Sequence, residues 1–102
     1  MMYILIINFK ADITPDEYEE IAVKDAPIFA NISGLKHKYF LFNHETKIFG
    51  GCYLWEDKAS LDAYKAGEIY KSIINNSDFE NVTTSEFEVH EQASLTQEKM
   101  KN

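Results

Sequence analysis

Residues 35–57 read LKHKYFLFNHETKIFGGCYLWED. Two runs rich in aromatic and β-branched residues, 36–42 and 48–55, flank the polar quartet Asn43, His44, Glu45 and Thr46. A quartet of that kind turns a chain, so the stretch predicts a β-hairpin. Gly50 and Gly51 fall inside the second strand, where glycine marks a bulge or a close approach by a facing sheet or a ligand. Strand alternation separates Tyr53 and Trp55 from Cys52 and Leu54. We expect Cys52 and Leu54 to face the helices, and the two polar-tipped aromatics to point away from them.

Reading outward, residues 3–10 form an unbroken apolar run, YILIINFK, which predicts a buried strand. It is apolar on both faces until Asn8 and Lys10, as in a sheet covered on both sides. Thr14, Pro15 and Glu17 supply an N-cap, an N1 proline and a capping box. A helical stripe of Tyr18, Ile21, Ala22, Ile28, Phe29 and Ile32 follows, with a kink or break expected near residues 25–27 because of Pro27. Asp57 caps a second helix, which Gly67 interrupts and residues 68–74 resume. Residues 81–91, NVTTSEFEVHE, alternate as a fourth strand. The domain spans residues 1–90, and residues 91–102 form a polar tail that is frayed or docks on a partner subunit.

The order is β-α-β-β-α-β, an α+β, ferredoxin-like arrangement: a four-stranded antiparallel sheet with its helices on one face. Two helices leave the other face bare, yet the first strand and the hairpin are apolar on both. A second copy packed sheet to sheet covers that face and makes a homodimer, a dimeric α/β barrel.

Composition narrows the function. The chain has 102 residues, 17 Asp+Glu against 10 Lys+Arg and a formal charge of −7. An acidic domain lacks the basic face that nucleic acid or an anionic membrane surface requires. The apolar N-terminus has no basic leader and is too short to span a bilayer. The single cysteine, Cys52, excludes an intramolecular disulfide and fits a reducing, cytoplasmic setting. His37, His44 and His90 are too scattered for a metal site, and no metal is expected.

Three stretches carry a resemblance: GLKHKYF (34–40), GGCYLWEDKASLDAY (50–64) and EFEVHEQASLTQEKMK (86–101). Gly34, Lys38, Gly50, Gly51, Tyr53, Leu54, Asp57, Ser60, Ala63 and Tyr64 stand where that pattern has the same residue types. The chain resembles the YdhR-type family of small mono-oxygenases, within the dimeric α/β-barrel superfamily. His37 departs from it, standing where the family carries an aromatic, often Trp.

The resemblance implies an oxygenase that needs no cofactor and acts on a small aromatic or quinol-like substrate held in the barrel cavity. Such chemistry calls for an apolar cavity, a few hydrogen-bond donors and one base. His37 is the candidate catalytic base or donor, because imidazole titrates near neutral pH. Asn8, Tyr39, Gly51, Tyr53 and Trp55 are the candidate substrate-binding residues. The alternative is a non-catalytic protein of the same fold that binds a small apolar ligand or serves only to dimerise.

Overall fold

A computed structural model describes residues 1–101, with side chains through residue 97. The elements are β1 (Tyr3–Lys10), α1 (Pro15–Ala30), β2 (Leu35–Asn43), β3 (Ile48–Trp55), α2 (Lys58–Lys65), α3 (Glu68–Ile74), β4 (Glu80–Glu88) and α4 (Glu91–Lys101). The four strands form one antiparallel sheet in the order β2-β3-β1-β4. This is the expected ferredoxin-like plan. Gly67 splits the second helix into α2 and α3 by standing at the N-cap of α3.

Local chemistry sets the element boundaries. At the start of α1, the Glu17 N–H donates to Thr14 Oγ1 (3.2 Å) and the Thr14 N–H donates to Glu17 Oε1 (3.0 Å). This reciprocal pair satisfies two helix donors at once. Asp57 Oδ1 accepts from the Ser60 N–H at 2.8 Å and starts α2. In the hairpin, Asn43 Oδ1 accepts from the Glu45 and Thr46 N–H groups, and Lys47 closes the turn at φ 62°. Gly34 has φ 81°, and a Cβ there would lie 2.0 Å from Ser60 Oγ. Only glycine brings the entry to β2 so close to the first turn of α2.

One expectation is corrected here: Pro27 does not break α1, which runs through it to Ala30. The C-terminal segment, expected to be a polar tail that is frayed or docks on a partner subunit, is helical over Glu91–Lys101.

The facing of β3 is also reversed. Tyr53 and Trp55 are 2 % and 0 % exposed and pack in the core beneath the helices, with Phe29, Leu61, Tyr64 and Tyr70. Cys52 and Leu54 are half-buried on the face that the helices leave open. The reason is packing. Tyr53 pairs with Leu5 and Trp55 with Tyr3, so the bulkiest residues of β1 and β3 share one face. The helices are the only cover the chain itself supplies, and the largest side chains gain most from it. Trp55 Nε1 is buried there with no hydrogen-bond partner among the described residues.

The open face carries Ile4, Ile6, Cys52 and Leu54, all half-buried, with Tyr39 and Phe87 more exposed. β2 reaches this arrangement through a bulge. Leu35 pairs with Trp55 and His37 with Leu54, so two residues of β2 oppose a single step of β3. A second irregularity lies between Asn8 and Lys10 of β1. Gly50 and Gly51, where a bulge or a close approach was expected, form no bulge and pair in regular register on both sides.

The two glycines respond differently to a methyl group. A Cβ on Gly50 would lie 1.9 Å from the Ile7 carbonyl oxygen, which is backbone and cannot yield. A Cβ on Gly51 would meet Lys38 Cε and Tyr53 Cε1, each at 2.9 Å, and side chains move more readily. Gly50→Ala is therefore expected to cost about 3 kcal/mol or more, and Gly51→Ala about 1 kcal/mol, in urea unfolding. Equal costs would show that close backbone approach is not what Gly50 provides.

Candidate functional site

The helix-covered face of the sheet is not filled completely. Between β1, β2, β3 and α1 lies a cavity of about 120 Å³. Gly50, Gly51 and Tyr53 form its floor from β3, and Lys38 and Phe40 come from β2. Tyr18, Asp25 and Phe29 close it from α1, and Ile73 of α3 and Phe79 complete the wall. Gly51 contributes by what it lacks: its absent side chain is the space in which Lys38 Cε lies.

Lys38 is the unusual member. Its Nζ stands 3.4 Å from the ring centroid of Phe29, 4.0 Å from that of Phe40 and 4.7 Å from that of Tyr53. Among the described residues, ion pairs within 4.0 Å form at Lys58 and Lys65, not at Lys38. Burial pushes its ammonium down from 10.5 to about 7, and Asp25 opposes this only in part. Aromatic faces favour the cation, but by about 0.5–2 kcal/mol, worth roughly one decade in proton affinity. The displacement from 10.5 to about 7 exceeds three decades, so desolvation prevails. The amine titrates close to neutrality.

The phenols around the cavity behave in the opposite sense. Burial drives Tyr53 far above its ordinary value, with its neighbour Tyr64 adding to the effect. The Tyr53 and Tyr64 hydroxyl oxygens are 3.5 Å apart. Tyr18 is also raised by burial, and its hydroxyl donates to the Leu41 carbonyl at 3.0 Å. Both stay neutral at physiological pH, as donors rather than anions. The chemical capacity of the cavity is therefore a flat aromatic slot, neutral hydroxyls and one amine.

The residues singled out from sequence separate into two groups. Gly51 and Tyr53 line the cavity. Trp55 lies further along the same core, 5.1 Å from the Tyr64 ring and outside the cavity wall. His37 and Tyr39 are exposed, with ring centroids 4.3 Å apart, and their β3 partners are Leu54 and Cys52 on the open face. Asn8 is half-buried and pairs with Gly50 and Thr83. A single subunit therefore does not enclose His37, Tyr39, Tyr53 and Trp55 in one space. Among the described residues no group of three His, Cys, Asp or Glu side chains is placed to hold a metal ion.

Lys38 matches the family pattern, but sequence reasoning did not place it among the candidate site residues. It shares its strand parity with Phe40 and Phe42, so a charged residue heads an aromatic row. The bulge obscured that signal. Leu35 and Lys38 both pair with the helix-facing row of β3 although one is odd-numbered and the other even.

A stability consequence follows from the lysine. From about pH 7 to about pH 10 the unfolded chain holds a proton that folded Lys38 releases, so this group makes stability rise with pH there and adds no slope below. Discounting for partial exposure, the rise is about 1–2 kcal/mol. Urea unfolding at both ends of the window, in wild type and Lys38→Met, isolates it. The variant should lack this increment and should be the more stable protein at neutral pH. Parallel curves for the two proteins would refute it.

No curated protein matches the chain. Among solved structures, the chain is similar to SnoaB, a cofactor-independent oxygenase from Streptomyces nogalater. The TM-score is 0.66 at 14% identity, covering 87% of this chain and 93% of that one. It is similar to a protein of unknown function from Nitrosomonas europaea, with TM-score 0.65, 19% identity and coverage of 87% and 89%. A dimeric ferredoxin-like protein of unknown function from a Jannaschia species gives TM-score 0.64 at 17% identity, with coverage of 87% and 100%. At these identities the likeness is one of fold. The sequence itself matches, over residues 4–99, the family described as "Putative mono-oxygenase ydhR", and the chain belongs to that family.

Proposed function

We propose that the protein is a mono-oxygenase that uses no cofactor and acts on a small aromatic, quinol-like substrate bound between the sheet and α1. The observation that carries this reading is the cavity: one slot, walled by Phe29, Phe40 and Tyr53 and floored by Gly51. Its volume of about 120 Å³ is close to that of an engineered apolar cavity, about 150 Å³, that takes up benzene. The slot therefore holds one ring, and a larger substrate extends into the wider cleft that shares Ile21, Asp25, Ile73 and Phe79 with it. Family membership and the fold shared with a cofactor-independent oxygenase support the reaction class.

Without an added reductant, all four electrons that dioxygen accepts come from the substrate. A ring methylene then becomes a carbonyl, with one oxygen atom retained and the other released as water. The protein's part is to hold the ring flat, keep bulk water away and stabilise the anion that reacts with dioxygen.

The working unit is a homodimer joined through the open sheet faces. Ile4, Ile6, Cys52 and Leu54 make that face too apolar to stand in water, and a fold neighbour is itself described as dimeric. His37, Tyr39 and Asn8 would then lie in or beside the interface.

Two measurements test this. Oxygen uptake and ¹⁸O₂ incorporation, followed over substrates from naphthols to anthrone, should show protein-dependent transfer of one labelled atom per product. Gly51→Ala should reduce it about tenfold or more, since a misplacement of about 1 Å costs that much. Binding without uptake across the whole set would leave a ligand-binding protein in its place. Light scattering should give twice the 11.8 kDa chain mass, and Ile6→Lys with Leu54→Lys should halve it. A stable wild-type monomer would end the dimer reading.

A further inference from the structure

The reading above uses the cavity's shape and leaves its amine without a task. We propose that Lys38 accepts the proton of a weakly acidic hydroxyl on the bound ring and remains as the counter-ion of the phenolate or enolate so formed. This rests on the cavity being the substrate site.

Geometry supports it first. Lys38 Nζ lies against three aromatic faces of the cavity wall, where a stacked ring would present its edge substituents. The groups facing it can be enumerated by element. α1 offers Asp25 and Tyr18, and β3 offers Tyr53; Ile73, Phe79 and Phe40 do not titrate. Tyr18 and Tyr53 are both held protonated by burial. Asp25 is the single carboxylate on the wall, and no ion pair forms between it and Lys38 within 4.0 Å. The cavity thus contains a base without its acid. A ligand hydroxyl supplies the missing half: the O–H bond breaks, the proton goes to Nζ, and the oxygen keeps the electron pair. Net charge is unchanged, so a neutral ligand and neutral amine become an ion pair in a poorly solvated site. Its Coulombic attraction is stronger there than in water and offsets the desolvation that raises Tyr18 and Tyr53 and lowers Lys38. The hydroxyl that transfers its proton is therefore one already acidic near neutrality.

Two clefts adjoin the cavity. One, lined by Asp12, Glu17, Asp25 and Asp78, shares Ile21, Asp25, Ile73 and Phe79 with its wall; the other, lined by Lys36, His37 and Lys38, shares Phe29, Lys38 and Phe40 with it. The ligand class is set at Lys38 itself: a phenol or enol.

Umbelliferone, a neutral bicyclic phenol whose ionised form has its own absorption and fluorescence, tests this in the full-length protein. Bound to wild type, it should ionise at a pH at least one unit below that of the free dye, a tenfold excess of phenolate at fixed pH. Lys38→Met should bind the neutral dye within threefold and abolish the shift. Lys38→Arg, a permanent cation, should keep the preference for the anion. Equal ionisation in wild type and Lys38→Met, with binding intact, would overturn the role of Lys38 and leave the oxygenase reading standing. No binding of the dye by any variant would remove the cavity as a site and this proposal with it.

Discussion

Among the described residues, α1, α2 and α3 cover one side of the sheet, and that constraint governs the rest of the structure. Deep burial is available only to the strand residues of that side, so Leu5, Ile7, Phe49, Tyr53 and Trp55 collect there. Burying a large aromatic is worth more than burying Cys or Leu. The aromatics therefore take the covered face even at the cost of an unpartnered indole N–H at Trp55. The other face keeps Ile4, Ile6, Cys52 and Leu54 half-buried, with Tyr39 and Phe87 exposed beside them.

The cavity is a local failure of that core to close, and it occurs where Gly51 interrupts the covered row of Phe49, Tyr53 and Trp55. Gly50, on the opposite face, is fixed by the Ile7 backbone, whereas Gly51 yields its space to Lys38. A filled aromatic core and a slot with an amine in it differ here by one missing Cβ atom. Phe29 serves both, packing edge-on against Tyr53 and Phe40 in the core while presenting its face to Lys38. Changes in the core and changes in the site are consequently coupled through that ring.

Element order, helix caps, the hairpin turn and the Gly67 break were all readable from residue types, because each rests on chemistry within a few positions. The facing of β3 was not. Alternation fixes which residues share a face, but when both faces are apolar it does not say which face the helices choose. That choice depends on Phe29, Leu61 and Tyr64, which reach the strand from distant parts of the chain. Gly51 and Tyr53 share a face, as alternation indicates, but it is the helix-covered face and not the open one. Lys38 was overlooked because its burial is purely tertiary.

The irregular pairing at the start of β2 has a further consequence. The step at Lys36 acts as a phase shifter: the chain before it and the chain after it keep independent alternation with respect to β3. Removing one residue there would straighten the strand yet leave Lys38, Phe40 and Phe42 opposite the same partners. The loop from α1 can thus vary in length without turning the amine out of its slot. Register in the cavity-lining half of the hairpin is held instead from the other end, by the Asn43 turn.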